Sequence, residues 1–165
     1  MVESTIAAWR TAGENADVTA AMMCLATDVE VVSPLTAQFR FQGQAQVADM
    51  LASAFEVIHD IRFHTEVGHG DTWALFYYGR AGRVTVEEAQ LLRLNSDGLI
   101  RHVTLFGRPL PALTEVMAGI GPRLLRRQHQ PVLARLVTLA VTPLNAMTRM
   151  GERILLPKAD PNRRR

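Results

Sequence analysis

Hydrophobic and polar residues alternate in two long runs that meet at a short turn beyond the middle of the chain. The runs flank Asn95–Gly98, within the segment from Arg83 to Pro109. Asn and Asp accept turn conformations, and glycine adopts them without steric cost. Alternation rich in Val, Leu, Ile and Phe is typical of strands. The pattern therefore predicts a long β-hairpin around which the rest of the chain is organised.

The segments before this hairpin predict three helices and four strands. Apolar spacings of three and four predict three helices, over residues 2–12, 17–26 and 44–58, and Asp17 is a suitable N-cap for the second. Alternation predicts four strands, over residues 28–33, 39–42, 61–67 and 73–78. The strands over residues 61–67 and 73–78 and the two strands of the hairpin follow one another through short turns, so they must be largely antiparallel, and the helices grouped before them indicate an α+β fold.

After the hairpin, the spacing predicts a helix over about residues 112–127 and another over 132–156 that is interrupted at Pro143. We therefore expect three parts: a folded domain over residues 1–110, a helical extension over 111–157 and a basic disordered tail over 158–165.

Composition limits the class of protein. A chain of 165 residues with 48% hydrophobic residues predicts one globular domain. Its single cysteine, Cys24, cannot form a disulfide within the chain. The N-terminus has no signal-peptide pattern, and no uninterrupted apolar run reaches about 18 residues. We therefore expect a cytoplasmic protein without a spanning helix.

Charge is distributed unevenly. Residues 1–121 carry 8 Arg and 14 Asp/Glu, whereas residues 122–165 carry 10 Lys/Arg and 2 Asp/Glu. This asymmetry indicates an interaction tail or a tail folded on its own acidic body. Because its arginines lie among aliphatic residues with few aromatics for base stacking, we expect no nucleic-acid partner.

An apolar stripe in the last helix is expected to be buried against a partner. It consists of Leu133, Leu136, Val137, Ala140, Leu144 and Met147. The partner is the acidic body of the chain, a second subunit or an anionic membrane surface. We favour docking on protein, because the stripe lacks Trp and Phe to anchor it in a bilayer interface.

The element order over residues 3–110 resembles the nuclear transport factor 2-like superfamily, which includes ketosteroid isomerase and the SnoaL-like polyketide cyclases. Four features carry the resemblance: a strand before Ser33-Pro34, the Phe39–Gly43 segment before a helix, the turn at Asp97–Ile100, and the closing Phe106–Pro109. The resemblance implies helices and a curved sheet around a cone-shaped apolar pocket. It also implies a homodimer through the outer face of the sheet.

The resemblance implies particular pocket positions. The catalytic base of ketosteroid isomerase falls on Ser33, whose hydroxyl cannot take a proton as a carboxylate does. Its two hydrogen-bond donors fall on Trp9 and Gln90, which are both able to donate. The aspartate that limonene-type epoxide hydrolases and the cyclases carry on their last strand falls near Leu105. Isomerase chemistry by the same residues is therefore not expected.

Glu88 is the candidate catalytic residue. If Gln90 faces the pocket, the period of two places Val86, Glu88, Leu92 and Leu94 on the same face. A carboxylate in an apolar cone has a raised pKa, which suits a general acid or base. The alternative is a solvated glutamate at the mouth of the pocket, because glutamate is seldom fully buried.

Nine further residues are expected to line the pocket and bind a ligand, and the alternative for the aromatic ones is an ordinary core position. They are Trp9, Met22, Phe55, Phe76, Tyr78, Gln90, Leu92, Val103 and Leu105. His64 and Glu66 share a strand face, either as a base and its orienting partner or as a solvated pair. The histidine spacing fits no zinc site, and no glycine-rich phosphate loop is present, so we expect no metal and no cofactor.

Two functional hypotheses follow. The first is a binder of a small apolar ligand with a carbonyl or hydroxyl group, of the steroid, terpenoid or polyketide type. Any reaction would be a cofactor-independent isomerisation, cyclisation or epoxide hydrolysis. The second is a non-catalytic dimerising module that docks on a partner or a membrane surface through its basic C-terminal helices.

Overall fold

Six strands form one mixed sheet in the computed structural model, which describes residues 2–161. The elements before the third strand are α1 (Val2–Glu14), α2 (Val18–Met23), β1 (Leu25–Val32), β2 (Phe41–Gln42) and α3 (Gly43–Phe55). They are followed by β3 (Ile58–His69), β4 (Thr72–Ala81), β5 (Val84–Leu94), β6 (Ile100–Arg108), α4 (Leu110–Arg127) and α5 (Pro131–Met150). A π-helical segment, Gly151–Leu155, and a 3₁₀ turn, Leu156–Lys158, extend α5. The predicted α+β fold class is confirmed.

The strand order is β2-β1-β6-β5-β4-β3. Strands β3 to β6 form an antiparallel meander, as their short connections predicted. β1 returns to pair parallel with β6. Register shifts interrupt β3 and the β1–β6 ladder, and such bulges bend strands. The sheet therefore curves around the helices as the wall of a cone.

Several element boundaries differ from the predicted ones. The Asp17 cap is confirmed, because its Oδ1 accepts the Ala20 N–H at 2.9 Å. β1 begins at Leu25, before the predicted start, since the Ile100 N–H donates to the Cys24 carbonyl at 2.9 Å. β4 continues to Ala81 instead of ending at Tyr78. Backbone pairing across the sheet therefore extends both strands.

Two apolar clusters fill the space between the inner face of the sheet and the helices. The larger one joins α1, α2 and α3 to the sheet around fully buried residues such as Ile6, Val47 and Leu92. The smaller one, around Val57, Tyr77 and Val116, joins the far end of the sheet to α4. The predicted extension therefore closes one end of the cone.

Helix α5 packs antiparallel on α4 through small and polar residues. Ala134 is fully buried, and Val137, Val141, Asn145 and Thr148 are partly buried on the same side. Pro143 does not interrupt the helix. Its ring lies on the exposed side, where the carbonyl that loses an intrahelical partner can face water.

The stripe is largely exposed, so it is not buried on the acidic body of the same chain, and its burial against a second subunit or a membrane surface stays a prediction. Leu133, Leu136, Leu144 and Met147 are 43%, 57%, 42% and 65% exposed. The helical run Pro131–Lys158 is long and apolar enough to cross a membrane by length and composition, although only 6% of its most apolar window is buried. Residues 162–165 of the predicted tail lie outside the described residues.

Replacing Gly119 by alanine is expected to loosen the contact between α4 and the end of α3. A Cβ at Gly119 would lie 2.7 Å from Val57 Cγ1, whereas a Cβ at Gly121 would meet Val137 Cγ1 at an ordinary 3.5 Å. Valine has a stiff χ1 and cannot easily move aside. Gly119→Ala should therefore be less stable than Gly121→Ala by about 1–3 kcal/mol in urea unfolding. If Gly119→Ala and Gly121→Ala were equally stable, the close contact between Gly119 and Val57 would be contradicted.

Candidate functional site

A cavity of about 260 Å³ lies between the inner face of the sheet and helices α1, α3 and α4. Its wall is mostly aliphatic and aromatic. The polar groups on the wall are Trp9 Nε1, Ser33, Thr36, Tyr77, Glu88 and Gln90. Phe39 at the rim is 53% exposed, so the mouth opens between the 33–39 loop and α4.

Three side chains from two elements form a hydrogen-bonded chain along the wall. Trp9 Nε1 donates to Gln90 Oε1 at 2.9 Å, and Gln90 Nε2 donates to Glu88 Oε1 at 3.3 Å. An indole nitrogen can only donate, so it fixes the Gln90 oxygen toward α1 and the amide nitrogen toward Glu88. Trp9 therefore acts on Glu88 through the orientation of Gln90.

The second donor to Glu88 is the hydroxyl of Tyr77. Tyr77 on β4 lies directly opposite Glu88 on β5 in the antiparallel ladder, and both side chains point inward. The Phe63 ring lies 5.3 Å from the Tyr77 ring, and the Phe63 N–H donates to Glu14 Oε1 at 3.0 Å. Sheet register and the end of α1 together position the tyrosine.

Burial dominates the electrostatics of the carboxyl group. Glu88 is only 7% exposed. Desolvation raises its pKa from 4.5 to about 7, although the hydrogen bonds from Gln90 and Tyr77 act in the opposite direction. Burial and the neighbouring carboxylate raise the pKa of Tyr77 well above its usual value, so Tyr77 remains a donor. The site holds one carboxyl that titrates near neutrality beside two neutral donors.

Six of the ten candidate residues lie on the cavity wall: Trp9, Phe55, Glu88, Gln90, Val103 and Leu105. Met22 and Leu92 do not. Leu92 is fully buried in the larger apolar cluster, and Met22 packs against that cluster. They lie toward the Asn95 turn, where α1 and α2 pack on the sheet and leave no space for a ligand.

Phe76 and Tyr78 lie on the outer face of the sheet, which corrects the predicted phase of β4. Tyr78 is 46% exposed, and its ring stacks on His64 with centroids 4.3 Å apart. Glu66 pairs with Arg10 at 3.6 Å, so His64 and Glu66 do not form a base and orienting partner. The inward residues of β4 are Leu75 and Tyr77, opposite Gln90 and Glu88.

The register of β4 is set by the turn that joins it to β5. Ala81 pairs with Val84 across a two-residue turn at Gly82-Arg83, where Gly82 has a φ of +59°. Counting back from that turn places Tyr77 opposite Glu88. The predicted strand ended at Tyr78, whereas Gly79 lies within β4. A Cβ at Gly79 would meet Ile58 Cγ2 at 2.8 Å, so a larger residue would not fit there.

Helix α4 supplies a side of the cavity that had not been foreseen. Its residues on the wall are Leu113, Val116, Met117, Ile120, Gly121 and Leu124. Their spacing of three and four marks an apolar face that can be recognised in the sequence.

Ser33 also lies on the wall, but its Oγ accepts the Leu35 N–H at 3.1 Å within the loop. Within residues 2–161, no group of three or more His, Cys, Asp and Glu side chains lies together in a way that could hold a metal ion.

A family profile described as a SnoaL-like domain matches residues 3–103. No curated protein matches the chain in sequence. A crystal structure of an uncharacterised bacterial protein with a cystatin-like fold from Silicibacter pomeroyi is 23% identical, with a TM-score of 0.71, covering 81% of this chain and 93% of that one. A steroid delta-isomerase from Pseudomonas aeruginosa is 22% identical, with a TM-score of 0.67, covering 80% of this chain and 94% of that one.

A third solved structure is a hypothetical protein with a ketosteroid isomerase-like fold from Catenulispora acidiphila, in complex with trimethylamine. It is 20% identical, has a TM-score of 0.55 and covers 73% of this chain and 95% of that one. At these identities the structures establish the fold, and the predicted nuclear transport factor 2-like architecture is confirmed.

The raised pKa of Glu88 predicts a specific pH dependence of stability. Between its ordinary pKa of 4.5 and its folded pKa of about 7, the folded protein keeps a proton that the unfolded chain has lost. Stability from this proton is therefore present below about pH 4.5 and disappears as the pH rises through 7. Relative to Glu88→Gln, wild type should lose up to about 3 kcal/mol between about pH 5 and pH 8 in urea unfolding. If the stabilities of wild type and Glu88→Gln changed with pH in the same way, Glu88 would not be a buried group with a raised pKa.

Proposed function

The chain belongs to the SnoaL-like domain family, and from that premise we propose that its cavity binds a small apolar molecule with a carbonyl or hydroxyl group and that Glu88 transfers a proton on it. The observation that carries the proposal is a carboxyl group, 7% exposed, on an apolar cavity wall with a pKa of about 7. At neutral pH such a group is nearly equally divided between its acid and base forms, which suits proton transfer in both directions.

The size and chemistry of the cavity support a ligand class. An apolar cavity of about 150 Å³ accepts benzene, and small-molecule sites are usually about 300–1,000 Å³. A volume of about 260 Å³ favours a molecule of roughly two fused rings, such as a terpenoid or an aromatic polyketide, over a drug-sized ligand. Four of the polar groups, Trp9, Tyr77, Glu88 and Gln90, lie together, so a ligand with a single oxygen at one end fits best.

The proposed chemistry is enolisation. Ionised Glu88 takes a proton from the carbon next to the ligand carbonyl, and the C–H electron pair moves to form an enolate. Once Glu88 has taken the proton, the Tyr77 hydroxyl can turn from Glu88 to the enolate oxygen, and the second N–H of the Gln90 amide can donate to the same oxygen. Protonated Glu88 then returns its proton to the same carbon or to a conjugated one. The second outcome is an isomerisation that consumes no co-reactant.

The proposed role of Glu88 is not transferred from the catalytic residue of a relative. The Pseudomonas aeruginosa structure is named a steroid delta-isomerase, and its fold covers 80% of this chain at 22% identity. The position at which the sequence resemblance places the isomerase base holds Ser33. Glu88 supplies a carboxylate from a different strand, so the proposal depends on the geometry of this cavity.

Enolisation can be measured without knowing the natural substrate. β-Tetralone is a bicyclic ketone with exchangeable α-protons, and their replacement by deuterium in D₂O can be followed by proton NMR. Wild type should accelerate the exchange with a rate that rises through about pH 7, as Glu88 ionises. Glu88→Gln should reduce the enzymatic rate by about 10²–10⁴-fold while β-tetralone affinity stays within a few fold.

The matched control is Glu87→Gln. Glu87 is the neighbouring glutamate on β5, and it pairs with Arg108 on the outer face. It should exchange deuterium at the wild-type rate. Equal rates in wild type and Glu88→Gln would dismiss the catalytic role, and retained β-tetralone binding in both would support a binding protein without turnover.

A second candidate function, a dimerising module, is supported by the outer face of the sheet. Phe76, Ala89 and Phe106 lie in register across β4, β5 and β6, and Phe106 is 55% exposed. Leu91 and Thr104 form the next row, also in register. A contiguous apolar face of this kind is typical of an interface, and a second copy of the same face could cover it.

We expect a dimer through this face. Sedimentation velocity at micromolar concentration should give a dimer for wild type and a monomer for Phe106→Glu, because the substitution places charge at the centre of the contact. Met23→Glu is the control, since Met23 is 78% exposed and lies outside the sheet. A monomeric wild type, or a dimer that tolerates Phe106→Glu, would exclude this interface.

A further inference from the structure

Helix α5 presents its large apolar side chains to solvent and its small and polar ones to the protein. Val132, Leu136, Leu139, Met147 and Met150 recur at helical spacing on the side away from α4, and they are 56–72% exposed. Ile154, Leu155 and Leu156 extend the exposed apolar surface and are 50%, 61% and 58% exposed. A helix of a soluble protein normally has the opposite arrangement.

Polar contacts orient the inner side of α5, beside the buried Ala134. Asn145 Nδ2 donates to Glu115 Oε2 at 2.6 Å, and Arg149 pairs with the same carboxylate at 3.5 Å. Thr114 Oγ1 lies 2.7 Å from Thr148 Oγ1 and 3.2 Å from Asn145 Oδ1. These contacts orient the helix, so the apolar side cannot turn inward without breaking them.

The surroundings of the apolar side are basic. Arg135, Arg149 and Arg153 follow one another along one flank of the helical run, and Lys158 lies near its end. Among the described residues, Arg135 and Arg153 form no ion pair with an acidic side chain. A partner that complements this surface has an apolar layer bordered by negative charge.

We infer that the exposed side of α5, from Val132 to Leu156, docks on the surface of an anionic lipid bilayer. Aliphatic side chains enter the boundary between headgroups and acyl chains, while Arg135 and Arg153 reach the lipid phosphates. The inference is independent of what occupies the cavity.

A second copy of this helix complements the surface less well. In a symmetric pair, the arginines of each copy would approach arginines of the other, and Glu152 is the one acidic residue between Pro131 and Lys158. Like charges brought together in an interface are unfavourable. An anionic leaflet offers the opposite charge along the whole helix.

A helix that lies on the surface also explains the observed contacts better than one that spans the bilayer. The run Pro131–Lys158 is long enough to span. Spanning would carry Asn145, Thr148 and Arg149 into the hydrocarbon and remove them from Glu115 and Thr114, at the high cost of intramembrane charge. Lying flat keeps these contacts and buries only the apolar side.

Surface docking would bring the bilayer close to the cavity. Gly121 of α4 lies on the cavity wall, and a Cβ at that position would be 3.5 Å from Val137 of α5. One helix therefore separates α5 from the cavity. An apolar ligand dissolved in the bilayer would have a short path to the mouth.

Vesicle co-sedimentation of the full chain tests the inference. Two vesicle preparations are compared: phosphatidylcholine alone, and an equal mixture of phosphatidylcholine and phosphatidylserine. The protein should sediment with the anionic vesicles, and high salt should weaken this binding because part of it is electrostatic. Alkaline carbonate should release the bound protein, as expected for a helix that does not span.

Two double variants separate the apolar and the charged contributions. Leu136→Gln with Leu139→Gln should weaken partitioning by about a hundredfold, because each leucine withdrawn from lipid costs about a factor of ten. Arg135→Gln with Arg153→Gln should weaken binding to the anionic vesicles about fivefold per arginine and leave the neutral vesicles unaffected. The control is Met23→Gln with Leu110→Gln, which replaces two residues that are 78% and 62% exposed outside α5 and should bind like wild type.

Three results would overturn the inference. The first is that wild type ignores anionic vesicles. The second is that bound protein resists alkaline carbonate, which would indicate a spanning helix. The third is that the Leu136 and Leu139 variant converts a dimer to a monomer in lipid-free sedimentation, which would identify a second copy as the partner of this surface.

Discussion

The inner face of the sheet carries large apolar side chains along all of its long strands, and only other elements of the chain can shield it from water. Helices α1, α2 and α3 cover most of that face around residues such as Ile6 and Val47, and α4 covers its far end. Helices are straight, whereas the strands bend at their bulges. The cover is therefore complete near the Asn95 turn and incomplete beneath α4. The cavity is the space that this mismatch leaves.

Within that space, the burial of one carboxyl group is energetically unfavourable, and the chain offsets this cost only in part. Glu88 receives hydrogen bonds from Gln90 and Tyr77, yet desolvation still raises its pKa to about 7. Trp9 on α1 contributes indirectly, because its N–H fixes the Gln90 amide. Three elements thus converge on a group that decreases stability at neutral pH. Such local cost is typical of sites selected for chemistry or binding instead of stability.

Helices α4 and α5 place their apolar and polar faces in opposite ways. α4 is apolar toward the cavity and polar toward α5, so it joins the cone to whatever lies beyond it. α5 has a polar inner side held by Glu115 and a wide apolar outer side. Its attachment combines these hydrogen bonds with the burial of Ala134 and the partial burial of Val137 and Val141, and its outer apolar surface remains available. The cavity and the outer side of α5 are consequently separated by a single helix, which links the two proposals in space although neither depends on the other.

The sequence by itself determined the order of the elements, the Asp17 cap, and the shared face of Glu88 and Gln90 on β5, which the family resemblance placed inward. These features depend on local periodicity and turn chemistry, which a single segment carries. Tertiary structure decided which face of β4 points inward, because that depends on which residues form the turn between β4 and β5. Pairing across this turn points Tyr77 inward and Tyr78 outward. It also decided that α4 closes the cavity and that α5 turns its leucines outward. The sequence of a helix shows which of its faces is apolar but not what covers that face, because the partner is specified by residues elsewhere in the chain or outside it.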